Sequence, residues 1–266
     1  VMIILNNKLS LMSWNINQCS GFGCKENFTP IVFEDINKHN TDLIILSEFV
    51  KFPGYLTFIS QLKNIGYIVM CDPRSDRGVN EILIAVKEEV LKGETFTIKI
   101  LPNVETKTSL YPNFLHVSLK YDGQELNIIG IRIRIRNSSP SDYQKRKLQL
   151  DSLIRYMSKI EGSIILAGDF NNGYFKDGET STSYNGKSRE FYSYPLLKEE
   201  SKVAGLNLHT PKEYGSWKNM KLDHILTRGL DLINPIYDWG FTKNNNYQPN
   251  EIGVPDHAML LTTISI

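Results

Sequence analysis

The sequence predicts an α/β fold of the α+β type: a four-layer α/β/β/α sandwich in which two mixed β-sheets stack face to face and helices cover their outer faces. Apolar runs of strand length, rich in Ile, Val, Leu and aromatic residues and bounded by Gly, Pro, Asn or Asp, recur through the whole chain. Amphipathic helical segments separate many of these runs but not all, and several neighbouring runs read as hairpins, which a pure βαβ wheel does not produce. With 266 residues and 41% hydrophobic content the chain can bury a large core, and no stretch has the composition of a linker. The expectation is therefore a single domain over residues 1–266.

In chain order, a first strand is expected over residues 9–16, then a helix in "FTPIVFEDINKHN", where Ile31, Phe33 and Ile36, with Val32 beside them, lie toward one side. A strand at 42–47 leads to a helix in "YLTFISQLKNIG", stopped by its glycine. Strands follow at 67–71, 81–86, 95–101, 114–121 and 125–134. The segment "SDYQKRKLQLDSLIRYMSKI" spaces Leu148, Leu150, Leu153, Ile154 and Met157 at near-helical intervals. After a strand at 163–167, residues 174–220 are rich in Gly, Ser, Tyr and Lys and lack periodicity until "SYPLLKEESKVAGL". That stretch is expected to be a long surface excursion with one short helix. Strands at 221–227 and 258–264 complete the pattern.

Lys and Arg total 30 against 29 acidic residues, for a net charge of +1, so phosphate binding must come from a local patch. Cys19, Cys24 and Cys71 cannot all pair, show no CxxC spacing and lack the His or Cys neighbours of a zinc site, which points to a reduced, cytoplasmic setting. The run "VMIIL" meets Asn6-Asn7-Lys8 at once, too short for a signal-peptide core or a membrane span.

The informative residues sit where strands leave the core. "LAGDFNNG" ends a buried strand on an acid and two amides, although Asp and Asn are poor strand formers and an unpaired buried carboxylate is costly. A plain turn explains this stretch equally well. Other strand ends carry Asn15, Glu48, Asp223 and the pair Asp256-His257. Singly, each reads as a cap, a solvated acid or a structural histidine.

Together and in this order, a strand-end Asn, a strand-end Glu, "GDFN", "LDHI" and a C-terminal "PDH" resemble the endonuclease/exonuclease/phosphatase superfamily, which includes pancreatic-type deoxyribonucleases, apurinic endonucleases, sphingomyelinases and inositol phosphatases. The resemblance runs from Leu9 to Ile264 and implies a metal-dependent phosphohydrolase. The chemistry is coherent on its own terms. Magnesium, with manganese as the alternative, wants hard oxygen ligands and keeps several waters, so Glu48, with Asn15 beside it and Asp256 joining, meets its needs. Asp169 is expected to orient or deprotonate the attacking water while Asn171 donates its amide to a phosphate oxygen. His257 is expected to bond the scissile phosphate, with Asp223 fixing its tautomer and favouring the imidazolium. The resemblance implies the same Asp–His pairing. His224, next to Asp223 on a strand, should face the other way and serve packing.

The sequence departs from the superfamily in "NIIGIRIRIR", where relatives carry a His or Tyr that touches the phosphate. Here Arg132 takes that place, with Arg134 and Arg136 on the same face by period-two alternation. Either Arg132 is a bidentate phosphate clamp, a shift of register passing the role to Arg134, or the arginines protect an edge strand. The leading reading is a nuclease acting on DNA or RNA as a monomer. The alternative is a hydrolase of a small or lipid-headgroup phosphoester, and retention of all the acidic and histidine positions argues against a silent binding module. "IRIRIRN", "QKRK" and Lys218–Lys221 with Trp217 could line a basic groove with a stacking platform, although "QKRK" reads more readily as a solvated helix face.

Overall fold

The computed structural model describes residues 8–18, 29–52, 54–73, 78–91, 98–101, 111–121, 124–137, 139–172, 191–243, 247–248 and 250–265. Its strands form two six-stranded sheets. The first contains β1 (Lys8–Asn15), β2 (Leu43–Val50), β3 (Tyr67–Cys71), β4 (Asn80–Lys87), β11 (Asp231–Asp238) and β12 (Met259–Ser265), in the order β11-β12-β1-β2-β4-β3. The second contains β5 (Ile98–Leu101), β6 (Asn113–Tyr121), β7 (Gln124–Arg132), β8 (Ser163–Asp169), β9 (Asn207–His209) and β10 (Asp223–Arg228), in the order β5-β6-β7-β8-β10-β9. Helices α1 (Pro30–His39), α2 (Tyr55–Asn64), α3 (Pro140–Met157) and α4 (Tyr194–Val203) complete the described elements used below.

Each sheet has one parallel pair at its centre, β1 with β2 and β7 with β8; the other ladders are antiparallel. A parallel pair needs a crossover, supplied by α1 in the first sheet and α3 in the second. The central strands read as unbroken apolar runs because both their faces are buried. In β1, Leu11 faces the layer between the sheets while Met12 and Trp14 face the helix layer with Ile31, Ile36, Phe58 and Leu62. In β8, Ile165 and Ala167 enter the inter-sheet layer, and Ile164 and Leu166 meet Leu150, Leu153 and Leu197. The sheets approach closely at Gly130, where a Cβ would lie 2.3 Å from Ile82 Cγ2 and 2.8 Å from Ile45 Cγ2. The expected four-layer sandwich is what forms.

Several local expectations change. β2 does not end at Glu48: the ladder with β4 continues through Phe49 and Val50, and Glu48 is the extra residue of a bulge, with φ 56°. β7 ends at Arg132 and lies between β6 and β8, so edge protection does not explain its arginine, and the alternation toward Arg134 and Arg136 stops with the strand. Leu148 is 45% exposed and stands off the buried face of α3. β9 and β11 were not expected; β11 carries Asn234-Pro235 at a register shift and buries only Tyr237, which erases strand periodicity. The excursion is partly built structure, since α4 and β9 both fall in it, while residues 174–190 lie outside the described residues, as do 95–97, Cys19 and Cys24.

Candidate active site

Because the central strands of each sheet run parallel, their C-terminal ends deliver polar residues to one place. Asn15 from β1 and Glu48 from β2 meet Arg132 from β7 and Asp169 from β8. Asn15 Nδ2 donates to Glu48 Oε1 at 3.2 Å and to Asp169 Oδ2 at 3.1 Å, so one amide ties the two sheets together. Its own oxygen accepts the Asn17 amide at 3.1 Å. Arg132 Nε donates to Glu48 Oε1 at 2.7 Å and lies 3.9 Å from Asp169 Oδ2. Burial alone would lower the pKa of this guanidinium, but Glu48 and Asp169 outweigh it and hold the pKa above the ordinary value.

Asp169 is 1% exposed and begins a tight turn. Its Oδ1 accepts the Asn171 backbone amide at 3.0 Å and its Oδ2 accepts Asn171 Nδ2 at 2.9 Å. Asn171 Nδ2 also donates to the Ile133 carbonyl at 2.8 Å, which engages both amide hydrogens within the protein. In this geometry Asn171 aims Asp169 instead of reaching for a phosphate. Asn171 has φ 45°, and Arg146, which pairs with Asp142 through Nε and Nη2, holds its carbonyl through Nη1 at 2.9 Å. One residue earlier, a Cβ at Gly168 would sit 1.9 Å from the Ile131 carbonyl, so only glycine lets the strand reach this turn.

Asp223 pairs with Asp169 across the β10–β8 ladder, which puts two acids on one face. Burial, then the Asp223 charge, push Asp169 up to about 7. His257 Nδ1 donates to Asp223 Oδ2 at 2.7 Å, and Trp14 Nε1 fixes the His257 carbonyl at 2.9 Å. Burial would lower this imidazole, but the charge and hydrogen bond of Asp223 overcome it and raise His257 to about 10. Asp256 is half-buried and accepts Trp217 Nε1 at 2.9 Å; its charge acts on both Arg132 and His257. His224 faces the opposite side of β10, between Asn172 Oδ1 and Thr210 Oγ1, each at 2.8 Å, and burial lowers it to about 3. It is a neutral packing residue, as expected.

The donors suit a hard divalent cation. Four acids (Glu48, Asp169, Asp223 and Asp256) face two cationic groups (Arg132 and His257), leaving negative charge in excess, and after burial the charges of Asp223 and Glu48 add to the upward shift of Asp169. Among the described residues no cluster of three or more His, Cys, Asp or Glu could hold a metal ion. Of the proposed ligands, Glu48 and Asp256 offer carboxylate oxygens, whereas the Asn15 oxygen is turned to the Asn17 amide.

Sequence reasoning missed the supports. Ser216 Oγ accepts the amides of Leu222 and Asp223 at 2.9 and 3.1 Å, and its carbonyl accepts the Ala258 amide at 2.7 Å, joining the two chain segments that carry Asp223 and His257. Trp217, read as a stacking platform, grips Asp256 by its indole and carries Lys218 over its ring at 4.3 Å. The "QKRK" run is largely neutralised, since Arg146 pairs with Asp142 and Lys147 with Asp151 and Glu200.

No curated protein sequence matches the chain. Among solved structures, D. rerio TDP2 complexed with single-strand DNA product superposes with a TM-score of 0.61 at 14% identity, covering 97% of this chain and 99% of that one. The human Nocturnin catalytic domain with bound sulfate gives 0.63 at 16% identity, covering 98% and 94%. ANGEL2, a 2′,3′-cyclic phosphatase, in complex with adenosine-2′,3′-vanadate gives 0.62 at 17% identity, covering 97% and 95%. At these identities the likeness is one of fold. The family model of the endonuclease/exonuclease/phosphatase family matches residues 12–237, most of the chain, and with the fold in agreement the chain belongs to that family of phosphoester hydrolases.

Proposed function

We propose that this protein is a magnesium-dependent phosphodiesterase acting on nucleic acid. The observation that carries the reading is the convergence of Glu48, Asp169 and the Asp223–His257 pair at one end of two stacked sheets, linked through Asn15 and Arg132. Glu48 is the principal metal ligand with Asp256 assisting, and Asn15 and Arg132 hold Glu48 in place. A bound magnesium or manganese ion supplies charge stabilisation at the phosphate. Asp169, fixed by Asn171 and poised near 7, accepts a proton from the attacking water. His257, kept as imidazolium by Asp223, donates its remaining N–H to a phosphate oxygen as negative charge builds there. Arg132 adds a second positive charge facing the same phosphate.

A second reading, hydrolysis of a small phosphoester, is favoured by the internal pairing of Arg146 and Lys147, which removes much of the expected basic groove. A panel of plasmid DNA, single-stranded DNA, RNA, abasic duplex and small phosphodiesters, each assayed with magnesium and with chelator, separates the readings. Magnesium-dependent cleavage of a nucleic acid is the expected result. Full activity in chelator would overturn the metal requirement, and hydrolysis of small phosphoesters alone would establish the second reading.

A further inference from the structure

Helix α3 begins at the catalytic end, shortly after β7 stops at Arg132, and returns to the far end, where β8 starts. Its buried face changes character along the way. The far half buries Leu150, Leu153 and Met157, whereas the half at the catalytic end buries Asp142, Arg146 and Gln149 beside Tyr143, the three polar side chains at most 4% exposed. Those three fall at i, i+4 and i+7, on one side of the helix. A buried ion pair adds little to stability compared with well-packed apolar residues of the same volume, so packing alone does not account for polar groups in these places. The destinations of their hydrogen bonds do.

β7 pairs with β8 as far as Arg132 and Asp169, and the Ile133 amide adds one more bond to the Asp169 carbonyl at 2.9 Å. Past that point Gln149 stands in for a neighbouring strand. Its Oε1 accepts the Arg134 amide at 2.8 Å and its Nε2 donates to the Arg134 carbonyl at 3.0 Å, the two bonds that a ladder residue exchanges with its partner. Asp142 Oδ1 accepts the Arg136 amide at 3.0 Å. The chain over residues 133–136 is thereby fixed, and with it the Ile133 carbonyl that receives Asn171 Nδ2 at 2.8 Å. Arg146 holds the same asparagine by its backbone. Nε and Nη2 donate to Asp142 Oδ2 at 3.1 and 2.7 Å, and Nη1 donates to the Asn171 carbonyl at 2.9 Å.

Asn171 needs this support. A residue with a side chain keeps φ 45° only where its surroundings enforce it. Asp169 depends on the result, because two of the three hydrogen bonds that fix its carboxylate among the described residues come from Asn171 and the third from Asn15. After burial, the charges that shift Asp169 are those of Asp223, His257, Arg132 and Glu48, so the influence of Arg146 runs through the turn. We propose that Arg146 and Gln149 are positioning residues that hold the Asn171 turn and through it aim the Asp169 carboxylate at the attacking water. The inference rests on the reading of Asp169 as acceptor of the water proton and deepens it by naming what sets its aim.

The test is a double-mutant cycle between positions 146 and 169, run beside amide hydrogen exchange. Arg146→Lys keeps a charge for Asp142 but loses the planar fork that grips Asp142 and the Asn171 carbonyl together. With bis(4-nitrophenyl) phosphate and a labelled single-stranded oligonucleotide at saturating magnesium, kcat should fall about tenfold in Arg146→Lys and in Gln149→Leu and about a hundredfold in Arg146→Met, the scale of a misplaced reacting group, while KM and the magnesium requirement hold. In an Asp169→Asn background Arg146→Lys should cost less than about twofold, since there is no carboxylate left to aim. Equal losses in the two backgrounds would make Arg146 merely structural and overturn the proposal. Hydrogen exchange reads the turn without turnover. The Asn171 amide should exchange about tenfold faster in Arg146→Lys and Gln149→Leu, with the Leu166 amide within β8 unchanged. If Asp169→Asn keeps its turnover, the reading of Asp169 fails separately and exchange still decides the turn: faster exchange at Asn171 keeps Arg146 as the residue that sets it, and wild-type exchange in both variants removes the role.

Discussion

Asp223 and His224 are neighbours on β10, yet they belong to two regions that treat an imidazole in opposite ways. On the side facing β8's terminal acid, His257 is buried against Asp223 and raised to about 10; on the other side, His224 is buried between an amide oxygen and a hydroxyl and lowered to about 3. Burial penalises the charged form in both places. The difference is one carboxylate at 2.7 Å, which overcomes that penalty on one face and is turned away on the other. Alternation along a single strand thus makes a charged donor on one side and a packing group on the other.

The largest effects should test that division directly. Asp169→Asn and His257→Ala are each expected to lower kcat by at least about a hundredfold with the fold retained, as losses of acid–base or charge-stabilising groups do. His224→Ala should do the reverse, leaving kcat within a few-fold while lowering stability by about 2–4 kcal/mol through a cavity and two stranded polar groups. Steady-state kinetics beside thermal unfolding settle the matter; near-normal turnover in Asp169→Asn would return "GDFN" to the status of a plain turn.

Asp223→Asn comes next, with an effect smaller than that of His257→Ala, about tenfold, because Asp223 acts through His257. The sharper reading is in pH. In the wild type the imidazolium persists until pH rises through about 10, so any stability it contributes is complete below 6.5 and is lost across that interval. With the carboxylate gone, burial is opposed only by the charges of Asp169 and Asp256, and the alkaline limb of activity should move down from about 10. An NMR titration of His257 that stays near 10 in this variant would show that Asp223 is not the cause.

How much of this was legible in the sequence follows from which interactions are local. The stacked sheets were readable because strands buried on both faces must be apolar throughout, as β1 and β8 are. Asp169, Glu48, Asp223 and His257 were readable because polar residues at strand ends contradict strand propensity. The Glu48 bulge was not, since it is defined by the β4 ladder that resumes at Phe49 and Glu81. Nor was the engagement of Asn171 by Ile133, or of Asp256 by Trp217 some 39 residues earlier. Those bonds exist only once distant segments have folded against one another.

Glu48→Gln extends the comparison from the imidazoles to the cation. Removing one charged ligand from a site with few of them should raise the magnesium concentration needed for half-maximal activity about tenfold while leaving kcat at saturating metal much less affected. The same substitution removes the anion that Arg132 faces at 2.7 Å, so the thermal stability of the metal-free protein reports how much of the pairing is structural.

Arg132→Lys is the mildest change and separates two roles for the arginine. Its guanidinium is nearly buried, donates Nε to Glu48 and feels Asp169, so it partly neutralises the surplus of acids whatever else it does. A lysine keeps the charge and can meet one carboxylate, but it loses the planar fork that can hold Glu48 and a phosphate oxygen together. If the fork positions substrate, KM should rise about five- to tenfold, the scale of one charge-assisted hydrogen bond, with thermal stability nearly constant. If Arg132 only balances charge, Arg132→Lys should match wild type in KM and kcat, while Arg132→Met, which leaves Glu48 and Asp169 uncompensated, should lose stability. The first outcome places Arg132 with His257 as a charged donor toward the substrate; the second places it with Asn15 as a support for the acids.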